Sequence, residues 1–309
     1  MIRYLTDKEI DFVKWDECVK ESSEGLVYAS SDCLSTMAKR WSGLVLDDYK
    51  AVFPLPWKKK IGIRYVYPPA FTQQFGLIAR DSKDLTHLNS FLQKVEQIFN
   101  LADMNLNEMN PHPAAPHVNR KNYLLNLTDT YEHLEKSFSR SAKRNIDKAL
   151  LAGISIKEQI DFKEVIHVHQ SRFGNIIHAN SEDYQRLESW LTLLYNKDML
   201  YVPGAFDVEG RLIAGSIFIL FKNRLTFILN GNTEKSLSTG ATHLLLANCI
   251  RKYSASGLTL DFEGSDNTDF ARFYEQYGAH PVSYPFVRIN KLPFILRWIK
   301  QDVSFVLPK

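Results

Sequence analysis

Cysteine is scarce: Cys18, Cys33 and Cys249 are odd in number, far apart and free of any C-x-x-C pair. A disulfide framework or a structural zinc site is therefore not encoded. A dominant charge is also missing, since 38 basic residues face 35 acidic ones for a net +3, too small a bias for a dedicated nucleic-acid binder. No apolar run is long enough to span a bilayer. The opening Met1-Ile2-Arg3-Tyr4-Leu5-Thr6-Asp7 meets an acid too soon for a secretory signal. The expectation is a cytoplasmic protein with no integral membrane association.

What is present is ordinary globular material, 45% hydrophobic and 24% charged over 309 residues, enough for one large core or two smaller ones. Residues 7 to 22 and 31 to 41 read as helices, and 48 to 79 as a meander of strands with Pro and Gly interruptions. Asp84 caps an expected helix to Asn100, with Leu88, Phe91, Leu92, Val95 and Phe99 on its apolar face, and residues 101 to 109 follow as a strand. The proline-rich run Pro111 to His117 reads as a linker or crossover. Beyond it come a short strand at Tyr123 to Leu127, one basic helix from Tyr131 to Ala152 and the strand Ile154 to Lys157. Helices near 161-173 and 182-196 lead to a second meander over 200-230, a helix over 240-254 and a strand over 258-263.

The order repeats: meander, helix, strand in each half. A repeat of this kind predicts an α/β (α+β) protein of two tandem domains, 1-118 and 119-309, each a mixed central sheet flanked by helices.

Ser238-Thr239-Gly240-Ala241 opens an apolar-faced helix directly after a strand. Unpaired N–H groups at such a helix start suit a phosphate, and Gly240 lets the backbone approach closely. The plainer reading makes Ser238 or Thr239 an N-cap. In the strand that follows, the period of two sets Asp261 and Glu263 on one face, where a partly buried carboxylate can take a proton from an amine; a structural pair is the alternative. Over the thirteen residues from Lys136 to Lys148, Lys136, Arg140, Lys143, Arg144 and Lys148 face the single Asp147, either to hold a phosphate-bearing ligand or as a solvated face. Gln73 and Gln74, between aromatic strand residues, are weaker candidates for an acceptor groove. Lys58 to Lys60 read as a hairpin tip. His167 and His169 point about 200° apart on a helix and lack a carboxylate partner, so they read as structural, and no metal is expected. Cys249 reads as packing. The tail Leu292 to Lys300, apolar with flanking positives, suits docking on the protein's own body, with peripheral membrane contact as the alternative.

Two resemblances sharpen this. Asn267, Ala271, Tyr274 and Gly278 resemble the Asn-x-x-Ala-x-x-x-Tyr-x-x-x-Gly-Phe signature of the GNAT acetyltransferases, with Ala271 one place late and Ala279 in place of Phe. The resemblance implies that Tyr274 assists the departing thiolate and that Asn267 helps hold the cofactor. The segment Lys136 to Ala149 followed by Gly153-Ile154-Ser155-Ile156, with Gly257 to Gly264, resembles the FemAB/FemX peptidyltransferases, which carry two GNAT-like domains in one chain. Of the GNAT pyrophosphate signature Q/R-x-x-G-x-G/A only Gly240-Ala241 is in place, and no long heptad arm of the kind found in FemAB enzymes occurs. Implied by resemblance is an N-acyltransferase moving an acyl group from acyl-CoA to a small or peptide-like amine. The alternatives are aminoacyl transfer from tRNA to a cell-wall precursor and a non-catalytic tandem-GNAT ligand binder.

Overall fold

The computed structural model describes residues 1–60, 62–173, 179–264 and 266–293. They form two compact units, Met1–Lys121 joined by the residues from Val282 onward, and Asn122–Pro281.

The first unit begins with β1 (Ile2–Thr6), α1 (Phe12–Glu21), α2 (Ser31–Met37), β2 (Arg40–Leu46) and β3 (Ala51–Lys60). It continues with β4 (Ile63–Val66), β5 (Ile78–Ala79), α3 (Leu88–Ile98) and β6 (Leu101–Asn105). Its strand order is β1-β2-β3-β4-β6, completed by β14 (His280–Asn290), with β5 beside β3. Pro54 and Pro56 lie inside β3, opposite Gly43 and Trp41. They are tolerated because β5 pairs only with Ala51 and Val52, and β4 only with Trp57 to Lys60, so on that side the prolines interrupt no ladder. Lys58 to Lys60 thus end a strand. Helix α3 buries Leu88, Phe91, Leu92 and Val95, the residues its spacing singled out, in one core with Leu44, Phe53 and Leu55. Each such side chain contributes roughly 1.5–3 kcal/mol relative to exposure. The helix starts at Leu88 and not at Asp84, because Asp81 caps a 3-10 turn over Ser82–His87.

The second unit takes the part of β7 (His117–Asn126) from Asn122 onward, then α4 (Tyr131–Lys136), α5 (Arg140–Leu151), β8 (Ser155–Lys157), α6 (Phe162–Phe173) and α7 (Ser181–Tyr195). Next come β9 (Leu200–Tyr201), β10 (Gly204–Phe206), β11 (Leu212–Phe221), β12 (Arg224–Asn232), α8 (Glu234–Thr239), α9 (Ala241–Tyr253), β13 (Thr259–Asp261) and α10 (Thr268–Glu275). The order is β7-β13-β12-β11-β10-β8, with β9 beside β11 and the β12–β13 pair parallel.

Three expectations change. A boundary after 118 falls inside β7, and the end of the expected 119–309 domain returns to the first unit. There Phe286 to Asn290 of β14 supply β6 with an antiparallel partner, and Phe286 and Val287 are buried. The single basic helix is two helices: Ser139 accepts from the Ala142 N–H and so caps a new start, since a serine oxygen competes well for a free first-turn donor. The strand expected over 101–109 stops at Asn105, beyond which asparagine amides bond the backbone, Asn107 to the Glu24 carbonyl and Asn110 to the Leu77 carbonyl. Of the tail 292–300, residues from 294 lie outside the described residues. No helix among the described residues is long and apolar enough to cross a membrane.

Candidate active site

The second unit holds a cavity of about 520 Å³ walled by α5, α6, β12, α8, α9 and α10. Strand β12 builds one side through an irregularity. Opposite Ile217 and Phe218 the register runs Leu229 then Phe227, leaving Ile228 as an extra residue. A bulge of this type reverses the alternation, so Phe227, Asn230 and Asn232 all reach the cavity. Helix α6 lies tightly on this strand. A Cβ on Gly231 would meet the Val165 carbonyl oxygen at 2.6 Å, and one on its cross-strand partner Gly215 would meet the Val165 side chain at 2.6 Å. Two facing glycines thus seat Val165. Two turns on, Arg172 reaches the cavity and donates to the Asn232 side chain.

Gly240 links α8 to α9 with φ of 81°, a left-handed conformation that suits glycine. A Cβ there would also lie 2.3 Å from the Asn145 carbonyl oxygen of α5. Ser238 and Thr239 are not N-caps. The chain is already helical before them, and both hydroxyls donate back to the Lys235 carbonyl, at 3.0 and 2.7 Å. Ala241 is buried in a small core with Ala149 and Ile154. Lys235 anchors α8 to the β10–β11 turn through Asp207 at 2.7 Å and Glu209 at 2.9 Å; this sets Ser236 and Leu237 on the cavity wall.

The two expected carboxylates part company. β13 ends at Asp261, and Glu263 has φ of 57°, so strand alternation does not carry both. Asp261 is buried, paired with Arg224 at 2.7 Å, and its other oxygen accepts from the Glu263 N–H at 2.9 Å. These bonds engage both of its oxygens. Glu263 is partly buried, and burial holds its carboxyl well above the ordinary carboxylate range.

Tyr274 lines the cavity and stacks on Phe262 with ring centroids 4.8 Å apart. Burial, then the charges of Glu263 and Asp261, raise its phenol above the usual value. The strand end and the helix therefore converge. Asn267 has a different place: its side chain accepts from the Asp269 N–H at 2.8 Å as the N-cap of α10, and it is not on the cavity wall.

Arg140, Lys143, Arg144 and Lys148 are exposed on α5; the wall takes Asn145 from that helix and none of the four. Gln73 and Gln74 are buried in the first unit, where the Gln74 amide donates to Gln73 at 2.8 Å and the Asn105 amide to the Gln73 carbonyl at 2.7 Å. They stiffen that interior. His169 is buried, with Nδ1 2.9 Å from the Asn230 carbonyl, while His167 is exposed. No group of three metal-ligating side chains occurs among the described residues. Cys249 is fully buried.

Sequence reasoning missed Arg172, Asn145, Asn230, Asn232 and His243. The last had a signal: a lone histidine three residues beyond Gly240, in a helix otherwise rich in Leu, Ala and Ile. Its Nδ1 lies 2.7 Å from the Tyr277 hydroxyl, and burial lowers its pKa to about 4.

No family model matches the chain, and no curated protein matches it in sequence. Solved structures do match. FemX aligns with a TM-score of 0.66 at 11% identity over 96% of this chain and 99% of that one. L-PGS from Bacillus licheniformis gives 0.58 at 13% identity over 93% and 94%. A tandem GNAT protein from the clavulanic acid biosynthesis pathway gives 0.51 at 10% identity over 95% and 99%. At such identities the likeness is one of fold. The chain has the tandem-GNAT fold, in its FemX-like form.

Proposed function

We propose that this chain is an N-acyltransferase that moves an acyl group from an acyl-CoA thioester to an amine in the cavity of the second unit. The observation that carries the reading is Tyr274 on the cavity wall, stacked at 4.8 Å on Phe262, the residue before Glu263. A carboxyl that burial raises above its ordinary range suits a general base. The amine nitrogen forms the new C–N bond, its proton passes to Glu263 through water, and the C–S bond breaks. Tyr274 donates a hydrogen bond to the departing thiolate, which a neutral phenol does well. Arg172 and the start of α9 at Gly240, both on the wall, favour an anionic donor.

The test is calorimetry with acetyl-CoA and longer acyl-CoAs, coupled to thiol release in the presence of amines. Binding with turnover that Tyr274→Phe and Glu263→Gln each reduce supports the reading. Absence of binding to every acyl-CoA overturns the donor, and binding without turnover on any amine leaves a ligand-binding protein.

One observation favours a second reading. Arg140, Lys143, Arg144 and Lys148 are exposed and form no ion pair among the described residues, as suits an aminoacyl ester carried on tRNA for transfer to a cell-wall precursor. Under that reading charged tRNA binds with a steep salt dependence, and reversing the four charges weakens it.

A further inference from the structure

We infer that His243 is a catalytic hydrogen-bond donor in this cavity, offering a neutral Nε2–H to the acyl carbonyl oxygen, and that Tyr277 is the positioning residue that fixes this tautomer. The inference rests on the acyl-transfer reading above and supplies what that reading lacks. Glu263 takes the amine proton and Tyr274 attends the leaving group, so neither attends the carbonyl oxygen, where negative charge develops in the tetrahedral intermediate.

The tautomer follows from the hydrogen bond. The Tyr277 ring is fully buried, edge-on to Phe138 at 5.1 Å and to Phe273 at 5.6 Å. Among the described residues its hydroxyl has one partner, His243 Nδ1 at 2.7 Å. A buried O–H left without an acceptor is costly, about 1–3 kcal/mol, and burial keeps this phenol protonated, so the hydroxyl donates. Nδ1 must then carry the lone pair, and the single ring proton of the neutral imidazole sits on Nε2. Burial, in turn, disfavours the imidazolium.

The direction follows from the ring. Nε2 lies across the imidazole from Nδ1 and hence away from Tyr277, while His243 shares the cavity wall with Tyr274. Phe273 meets the imidazole edge-on at 5.0 Å, which limits its rotation. The charged side chains on the wall are Arg172, engaged with Asn232, and Asp269; they come from α6 and α10. During the reaction the carbonyl C=O becomes C–O⁻ and reverts, and the Nε2–H bond is kept throughout. No proton changes hands at this residue.

Two readouts test it. In ¹⁵N-histidine-labelled wild-type protein, two-bond ¹H–¹⁵N correlations should show His243 as the Nε2–H tautomer from pH 5 to 8, and Tyr277→Phe should lose that uniform signature. Under saturating donor, His243→Ala should lower kcat by about 10²–10³, the scale of a lost oxyanion donor, with little change in KM, and His243→Gln, which keeps an N–H near the Nε2 position, should recover part of it. An Nδ1–H tautomer in the wild type overturns the inference. So does full turnover by His243→Ala in a protein that Tyr274→Phe inactivates, an outcome that leaves acyl transfer standing. A wild-type protein inert toward every acyl donor overturns acyl transfer itself and the role of His243 with it.

Discussion

Arg224 and Asp261 form an ion pair, Nη1 to Oδ2 at 2.7 Å, with side chains 18% and 2% exposed. The pair ties β12 to β13 and, with the Glu263 N–H, engages both oxygens of Asp261, which favours a structural role for it and the base role for Glu263. Asp261→Asn should therefore cost stability, about 3 kcal/mol by analogy with broken buried pairs, and leave kcat within a few-fold. Glu263→Gln should do the reverse, lowering kcat by about 10²–10⁴ with the fold retained. Urea unfolding and turnover on the two variants decide it; an equal loss of turnover in both defeats this division of labour.

Glu263 also has a pH signature. Its folded pKa is raised above the ordinary 4.5, so the fold favours the protonated form, and the stability it contributes at low pH is lost as pH rises through the folded value. Glu263→Gln should consequently be more stable than wild type at neutral pH and no more stable at pH 4. Thermal melts at the two pH values measure this, and a difference independent of pH would contradict it.

The histidines give the opposite sign. His243 falls from 6.5 to about 4, and His169 is lowered too, both through burial. Stability from His243 is present above pH 6.5 and is lost as pH falls toward 4, an effect of about 3 kcal/mol at its full extent. His243→Gln should flatten the acid limb of the stability–pH curve over that window, leaving the share due to His169. Denaturant titrations at half-unit pH steps would show an unchanged limb if the assignment were wrong.

Gly240→Ala meets two obstacles at once, the positive φ and the Asn145 carbonyl oxygen at 2.3 Å. The left-handed backbone alone costs about 1–2 kcal/mol, and the contact forces α5 away from α9. A lower Tm and weaker donor binding are expected together. Normal binding in the variant would show that the α5 contact does not shape the site.

Much of the fold was legible because local periodicity reports burial. The apolar stripe of α3, the repeated order of meander, helix and strand, and the start of α9 after Gly240 can all be read from residues within a few positions of one another. Tyr274 was legible through its family-like spacing from Asn267 and Gly278. Other features depended on neighbours distant in sequence. Nothing near Asp261 in sequence tells that Arg224, 37 residues away, pairs with it. The N-cap alternative for Ser238 or Thr239 stands until α8 extends upstream and the Lys235 carbonyl takes their hydroxyls.

The sequence by itself determined that the stripe of α3 and the segment after Gly240 are helices, that meander, helix and strand recur in each half, and that a carboxylate-bearing strand end precedes a tyrosine-bearing helix. Hydrophobic period and turn residues act over a handful of positions, so they are written locally. Tertiary structure alone decided that β14 returns to pair with β6, that a bulge in β12 turns Phe227, Asn230 and Asn232 to one cavity, and that Tyr277 meets His243 across 34 residues. Those outcomes depend on ladder pairing, close packing and the satisfaction of buried polar groups, and such forces act only between residues that folding has already brought together.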